Sequence, residues 1–394
     1  MTTRRDFLGL AAGAFAVAGL PGAVFAAMPG DRRLVVVLLR GAMDGLAAVP
    51  PIGDARYAEK RGKLALDPSS CIALDHGFAL NPGLKVLLPY YQKGELLIVP
   101  ATGNGYRSRS HFDAQDLMEC GLVSKTRETD GWLNRVLALV QKGDKRQGLA
   151  VGGAVPLLLR GAVPVASWEP ETARADDSDF LLGVVFLYQQ DKLFGPAIEQ
   201  GLKTKTFSNQ VLGDDQPKDR GGFGPKAFAP LAAAAGKLIA APDGPRIAAL
   251  DMYGWDAHVA QGTEAGRLYE NLSGLADGLD AMAQALGPAW KDTVVVAVTE
   301  FGRTVAVNGT GGTDHGTASM MFVMGGAVKG GHVQGDWPGL DRLEDDRDLR
   351  VATDSRSIIK GVLRDHLGID ANALAAKVFP DVPGLAPADR LIRT

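Results

Sequence analysis

Cysteine is almost missing from this chain: among 394 residues only Cys71 and Cys120 carry a thiol. Neither belongs to a C-x-x-C pair, which excludes a zinc ribbon and a dithiol redox motif. A disulfide between them is permitted in an oxidising compartment but not required. No charge of one sign dominates either. Lys and Arg number 42 against 45 Asp and Glu, for a formal net charge of −3. Without a basic block, that balance argues against nucleic acid and against an anionic membrane surface as partners. After residue 26 no apolar run approaches the ~18 residues that a spanning helix needs, so no stable membrane span is expected. Also missing are a G-x-S-x-G elbow, H-E-x-x-H, a P-loop and a G-x-G-x-x-G following a strand. A redox protein with an organic cofactor therefore has no motif to rest on. There is no internal repeat and no low-complexity tract.

The chain begins with Thr3-Arg4-Arg5-Asp6-Phe7-Leu8, a twin-arginine export signature. An uncharged stretch rich in Ala, Gly and Leu follows over 8–21, then Val24 and Ala26, small residues suited to a signal peptidase. The stretch is too short and too glycine-rich to anchor in a bilayer, so residues 1–26 are expected to be a cleaved signal. The twin-arginine machinery is then a partner, and the protein is periplasmic or secreted. That route carries folded chains, which favours a protein that takes up a metal or packs before it leaves. The remaining 27–394, in a chain 46% hydrophobic and 22% charged, suit a single soluble α/β domain.

Five apolar runs, over 34–39, 96–99, 247–250, 294–298 and 321–324, predict strands buried on both faces. Four of them end in polar or acidic groups. Between the third and fourth, Leu268, Leu272, Leu275, Leu279, Met282 and Leu286 recur at three- and four-residue steps, a helix closed by Gly287-Pro288. Strand, helix and strand at this spacing predict a right-handed parallel crossover. The fold expected is an α/β three-layer sandwich with a mostly parallel central sheet, binding its ligands at the carboxyl ends of the strands. Residues 125–225 differ. They hold charge clusters, a hairpin expected over 148–166, a helical segment from 180 towards 202, and the joint Gly221-Gly222-Phe223-Gly224, which together suggest a cap inserted over the sheet. A last helix is predicted over 357–367.

Fifty glycines are present, many beside acidic or His residues, where bare backbone can turn tightly or approach a ligand. In Gly311-Gly312-Thr313-Asp314-His315-Gly316-Thr317, glycines flank an Asp-His pair just ahead of a strand. Asp251-Met252-Tyr253-Gly254-Trp255-Asp256-Ala257-His258 sets two carboxylates and an imidazole directly after a strand, which suits oxygen and nitrogen coordination of a metal. Asp44 could hold a cation or close an Asp-Gly turn. Glu300 and Arg303 could be a local ion pair, or a metal ligand beside a clamp for an anion. Ser110 and Asp113 fit a capping box. A serine there, next to Arg109, also meets the positive end of a helix, which favours an anionic substrate or an activated hydroxyl. His76, His332 and His366 lack acidic neighbours placed to help and are expected to be structural.

Taken together, LRGAMDGL, SHFDAQDLMECG, DGWL, DMYGWDAH, TEFGRT, GGTDHGTASMMFVMGGAVKGG and GDWPGL form a recognisable set. The chain resembles, over about 34–380, the exported bacterial proteins called domain of unknown function 1501. That family has no established reaction and is similar in pattern to the alkaline-phosphatase/sulfatase-like superfamily of metal-dependent α/β proteins. The resemblance implies a metal-bridging carboxylate at Asp44, a nucleophile near Ser110, metal ligands between Asp251 and His258, and a further ligand at His315. Where the superfamily carries Asp-His at a strand end, this chain has Glu300-Phe301, leaving one ligand to be supplied by Asp314 or His111. The stretch Ala352-Thr353-Asp354-Ser355-Arg356 is also similar to a C-terminal sulfatase pattern. Fewer nitrogen ligands would tilt the ion from Zn towards Ca, Mg or Mn.

The function expected is an exported metal-dependent hydrolase of phosphate or sulfate esters, its substrate a small-molecule or glycan anionic ester. Candidate ligands for one or two divalent ions are Asp44, Asp251, Asp256, His258, Glu300, Asp314, His315 and His111. Ser110 would be or orient the nucleophile, while Arg303 and Arg109 would steady the anion. The alternative is a non-catalytic periplasmic binding or assembly protein that keeps the fold.

Overall fold

The run of Val and Leu in β1 (Arg33–Arg40) is buried on both faces, and the pleat sends alternate side chains to opposite sides. Val35, Val37 and Leu39 enter one core cluster; Leu34, Val36 and Leu38 enter the other. A strand shielded this way belongs inside a sheet. The computed structural model describes residues 31–124, 130–140, 148–170, 178–188, 190–192, 194–217 and 224–393. Beyond β1 the main sheet contains β2 (Leu96–Gly103), β3 (Gly148–Val151), β4 (Ala166–Trp168), β5 (Ile247–Tyr253), β6 (Thr293–Val298), β7 (Ser319–Met324), β8 (His332–Val333) and β9 (Thr353–Asp354). These form one nine-stranded sheet in the order β8-β2-β7-β6-β1-β5-β3-β4, with β9 also paired to β2. Its pairings are parallel except those of β7, which runs against both β2 and β6.

The longer helices among the described residues are α1 (His111–Cys120), α2 (Trp132–Val140), α3 (Ser178–Tyr188), α4 (Phe194–Leu212), α5 (Pro225–Ala240), α6 (Arg267–Leu286) and α7 (Ser355–Leu367). On the face of Val35, α5 and α6 bury Ala232, Ala235, Leu268, Leu272 and Leu275. On the other face, α2 and α7 bury Leu133, Val136, Ile358, Ile359 and Val362. The architecture is the three-layer α/β sandwich with a mostly parallel sheet that the strand pattern predicts. The crossover from β5 through α6 to β6 passes over β1, which pairs with both strands.

Several local expectations change. The strand predicted to stop at Leu250 runs on to Tyr253, because Asp251 enters the ladder opposite Leu38 while Arg40 holds its carboxylate at 2.7 Å. The hairpin expected over 148–166 does not form. β3 and β4 pair in parallel and extend the main sheet beside β5. Leu158 and Leu159, buried in the second cluster, carry the connecting chain back across that face. This part of the expected cap is therefore sheet. The export signal expected over 1–26 and residues 221–223 of the glycine joint lie outside the described residues. Cys71 and Cys120 are both free. Among the described residues no helix is long and apolar enough to cross a membrane.

His366, 2% exposed on α7, joins that helix to β1 through a 2.9 Å contact between its Nε2 and the carbonyl oxygen of Arg33. Burial pulls its pKa down to about 4, so the ring is neutral in the fold but protonates near 6.5 in an unfolded chain. Stability linked to this group is complete above pH 6.5 and is lost as the pH falls towards 4, by ~3 kcal/mol at most. Urea unfolding of wild type and His366→Gln across that range checks this: the variant should lack that part of the acid-side decline.

Candidate metal centre

Parallel strands share a carboxyl edge, and β7, running the other way, begins at that edge. Here β2 leads to His111, β5 to Asp256 and His258, and β6 to Glu300 and Arg303, while the loop ahead of β7 delivers Asp314 and His315. Backbone pairs between Gly302 and Thr317, Gly316 and Gly302, and Thr304 and Asp314, at 2.8–2.9 Å, zip that loop to the segment after β6. Two glycines make the approach possible. A Cβ on Gly312 would stand 2.3 Å from the His258 backbone, and one on Gly316 would stand 2.5 Å from that of Arg303.

Three imidazoles meet there. His111 Nε2 and His258 Nε2 stand 2.9 and 3.0 Å from His315 Nε2. The Asp256 carboxylate closes the group at 3.1 Å from His258 Nε2, 3.4 Å from His315 Nε2 and 3.6 Å from His111 Nε2. The far ring nitrogens fix the tautomers. His111 Nδ1 meets Glu300 Oε1 at 2.8 Å, His258 Nδ1 meets Asp314 Oδ1 at 3.0 Å, and His315 Nδ1 meets the carbonyl oxygen of Arg109 at 2.9 Å. Carboxylate and carbonyl oxygens only accept, so each Nδ1 carries a proton, and each ring in its neutral form turns its Nε2 lone pair towards the cluster. Lone pairs and a carboxylate so close repel unless a cation lies among them. Imidazoles whose second nitrogen donates to a carboxylate or carbonyl are the usual support of metal-ligating His. The ligand atoms of His111, Asp256 and His315 all lie within 4.8 Å of one another and fit a divalent ion, with His258 Nε2 beside His315 and Asp256.

The surrounding charges agree. Burial works against the Asp256 carboxylate, but when protons occupy the Nε2 atoms in place of a cation, hydrogen bonds from His111, His315 and Arg303 hold it far below the usual carboxylate range. Glu300 is wholly buried and accepts from Gly41 N at 2.8 Å, Gln115 Nε2 at 2.9 Å and Thr299 Oγ1 at 3.0 Å. Burial opposes its charge too, and the donors, His111 first, keep its pKa low. Burial likewise opposes a charged His111, yet Asp256 and Glu300 together push it up to about 9. The negative potential that attracts a proton to this cluster also attracts a metal ion.

Other expected site residues stand elsewhere. Asp44 is engaged by other groups: it caps the short helix Gly45–Ala48 and binds Arg61 Nη2 at 2.5 Å and Gln261 Nε2 at 2.6 Å. It ends a buried chain in which Thr313 Oγ1 donates to Gln261 at 2.6 Å, Arg303 Nε donates to Thr313 at 3.1 Å, and Arg303 Nη1 donates to Asp256 at 2.7 Å. Asp251 is held by Arg40 instead of facing the imidazoles. Glu300 and Asp314 grip ring protons and do not join the Nε2 atoms. The Arg109 guanidinium is taken up by Asp345 and Asp348 at 2.8 and 2.7 Å, so its contribution is the carbonyl, presented at a φ of 57°. The Arg303 guanidinium is taken up by Asp256 and Thr313. Ser110 holds the N-cap position of α1 without a side-chain cap bond, and Asp113 meets the Tyr106 hydroxyl at 3.3 Å, so the capping box is not formed.

Asp44→Ala is expected to leave the buried Arg61 cation unpaired and to destabilise the fold by about 3–5 kcal/mol, with metal content equal to that of the wild type. Chemical denaturation alongside metal analysis separates this outcome from loss of a ligand.

The sequence reading gave no role to Gln115, Gln261, Thr313, Arg61 or Arg347, whose Nη2 donates to the His315 carbonyl at 2.8 Å. Gln115 had a usable signal, four residues after His111 and so on the same helix face. Arg61 and Gln261 had none, since only the folded chain brings them to Asp44.

The sheet and this cluster define an α/β sandwich protein with a histidine-rich centre at its strand ends. The chain belongs to the family described as "Protein of unknown function (DUF1501)", whose model matches residues 107–380. No curated protein matches it significantly. Similar solved structures include a phosphonate monoester hydrolase of Agrobacterium radiobacter, 13% identical with a TM-score of 0.41, covering 91% of this chain and 78% of that one. Another is BT1596, a 2-O GAG sulfatase, 11% identical with a TM-score of 0.42, covering 91% and 76%. A third is the alkaline phosphatase of the Antarctic bacterium TAB5, 13% identical with a TM-score of 0.33, covering 74% and 91%.

Proposed function

We propose that this protein is a metal-dependent hydrolase of phosphate or sulfate esters, with His111, His258, His315 and Asp256 as the ligands of one divalent ion. The observation that carries the reading is the convergence of three Nε2 lone pairs whose Nδ1 protons are all committed elsewhere. Three nitrogens and one carboxylate favour a first-row transition ion such as Zn or Mn over Ca or Mg. Bound there, such an ion supplies Lewis acidity and a water of lowered pKa. Glu300, Asp314 and the Arg109 carbonyl keep the rings in register, and Arg303 orients Asp256. Ser110, at the positive end of α1 with no cap bond to its own helix, would receive or attack an anionic ester.

Metal analysis of the purified protein, with turnover of 4-nitrophenyl phosphate and 4-nitrophenyl sulfate, tests this. The expected result is a bound transition ion and a turnover removed by chelation, restored by Zn or Mn and depressed by Ser110→Ala. Absence of bound metal after incubation with both ions overturns it. A second reading, a non-catalytic binding protein, is favoured by one fact: both guanidiniums expected to steady an anion are already occupied by carboxylates. Tight sulfate or glycan binding without turnover would establish it. Export through the twin-arginine pathway belongs to the same proposal. Paired Arg4→Lys and Arg5→Lys changes should hold the protein in the cytoplasm, as cell fractionation would show.

A further inference from the structure

We infer that a cavity at the ends of β3, β4 and β5 seats the apolar part of the substrate, an aryl or alkyl group without negative charge, while the ester group lies at the metal centre. This rests on the hydrolase reading. The cavity measures about 510 Å³, inside the ~300–1,000 Å³ range of small-molecule sites. Val151, Ala227, Phe228, Leu231 and Met252 give it apolar walls, and its charged lining groups, Glu169 and Asp251, are both acids. Among the described residues neither lysine nor arginine lines it. An anion therefore finds no cation among the described lining residues, while an uncharged apolar group gains by leaving water. A substrate is oriented by this contrast, its anionic end towards the cation and its greasy end inward.

The two places are joined by one short piece of chain. Asp251, Met252 and Tyr253, the last residues of β5, form the cavity wall, and Asp256 follows three residues later. At ~3.3–3.6 Å per residue the backbones of Tyr253 and Asp256 are at most ~11 Å apart. Tyr253, 39% exposed, also lines the cavity and lies beside Arg40, its ring centroid 6.0 Å from the guanidinium carbon. There is room for an occupant along the backbone: a Cβ on Gly153 or on Gly224 would meet nothing within 4 Å.

Gly153→Trp fills the cavity without touching a metal ligand, and Ala227→Trp does so from the α5 wall. In the metal-loaded protein, KM for 4-nitrophenyl phosphate should rise at least tenfold in both variants, while KM for methyl phosphate and metal content stay unchanged. An equal rise for both esters, or none for the aryl ester, overturns the proposal. Calorimetry with 1-naphthol separates it from the hydrolase reading. Binding to the wild type that is lost in Gly153→Trp supports the cavity. Ester turnover without naphthol binding overturns the cavity alone, whereas naphthol binding without turnover of any ester overturns the substrate assignment together with the hydrolase reading.

Discussion

Replacing His315 by alanine is expected to strip the ion and end ester turnover with little change in stability. Its Nε2 is the one ring nitrogen within 3.0 Å of both other imidazoles, so no neighbour substitutes for it. Loss of an outer partner of a metal ligand costs ~10–100-fold in affinity or activity; loss of the ligand itself should exceed that. The ladder that carries residue 315 is made by backbone groups and survives the change. Metal content by mass spectrometry, with kcat/KM on 4-nitrophenyl phosphate, reads the outcome. A variant that binds its ion as tightly as the wild type would remove His315 from the centre and the hydrolase proposal with it.

Glu300→Ala should damage both the fold and the centre. The carboxylate accepts from His111, Gln115, Thr299 and the Gly41 amide in a site closed to solvent. Without it, several buried donors lose their acceptor, at ~1–3 kcal/mol for each one left unsatisfied. His111 also loses the group that fixes its tautomer, so metal affinity should fall by ~10–100-fold in whatever fraction remains folded. Asp314→Ala is the control. That carboxylate holds His258 from a position 53% exposed, so it should weaken metal binding without the loss of stability. Denaturation and metal titration of the two variants separate holding a ring from holding the core.

The layered sheet was legible in the sequence because runs such as 34–39 can be shielded only by helices on both faces, and the stripe on α6 states which helix does so. The reversed direction of β7 left no such mark. Strand residues look alike whichever way they run, and Met321 and Phe322 carry no signal of polarity. The same blindness made 148–166 look like a hairpin, since pairing direction is decided by the path of Leu158 and Leu159 under the sheet. At the centre, clustering of acids, imidazoles and glycines marked the right loops but not the roles inside them. Asp44, Asp251 and Asp256 all follow or end strands. What distinguishes them is the cation that each meets, Arg61, Arg40 or Arg303, and those partners come from remote segments.

The antiparallel course of β7 has a consequence for the order of events during synthesis and folding. His111 and His315 are 204 positions apart, and the loop that carries the latter is aimed correctly only once β7 has inserted between β2 and β6. Contacts of such long range form late, and an unfolded chain offers no preformed pocket for an ion. For the proposed metal centre, capture of the cation therefore comes at the end of assembly. It would record that the sheet has closed, and a nascent or truncated chain that stops short of β7 would acquire none.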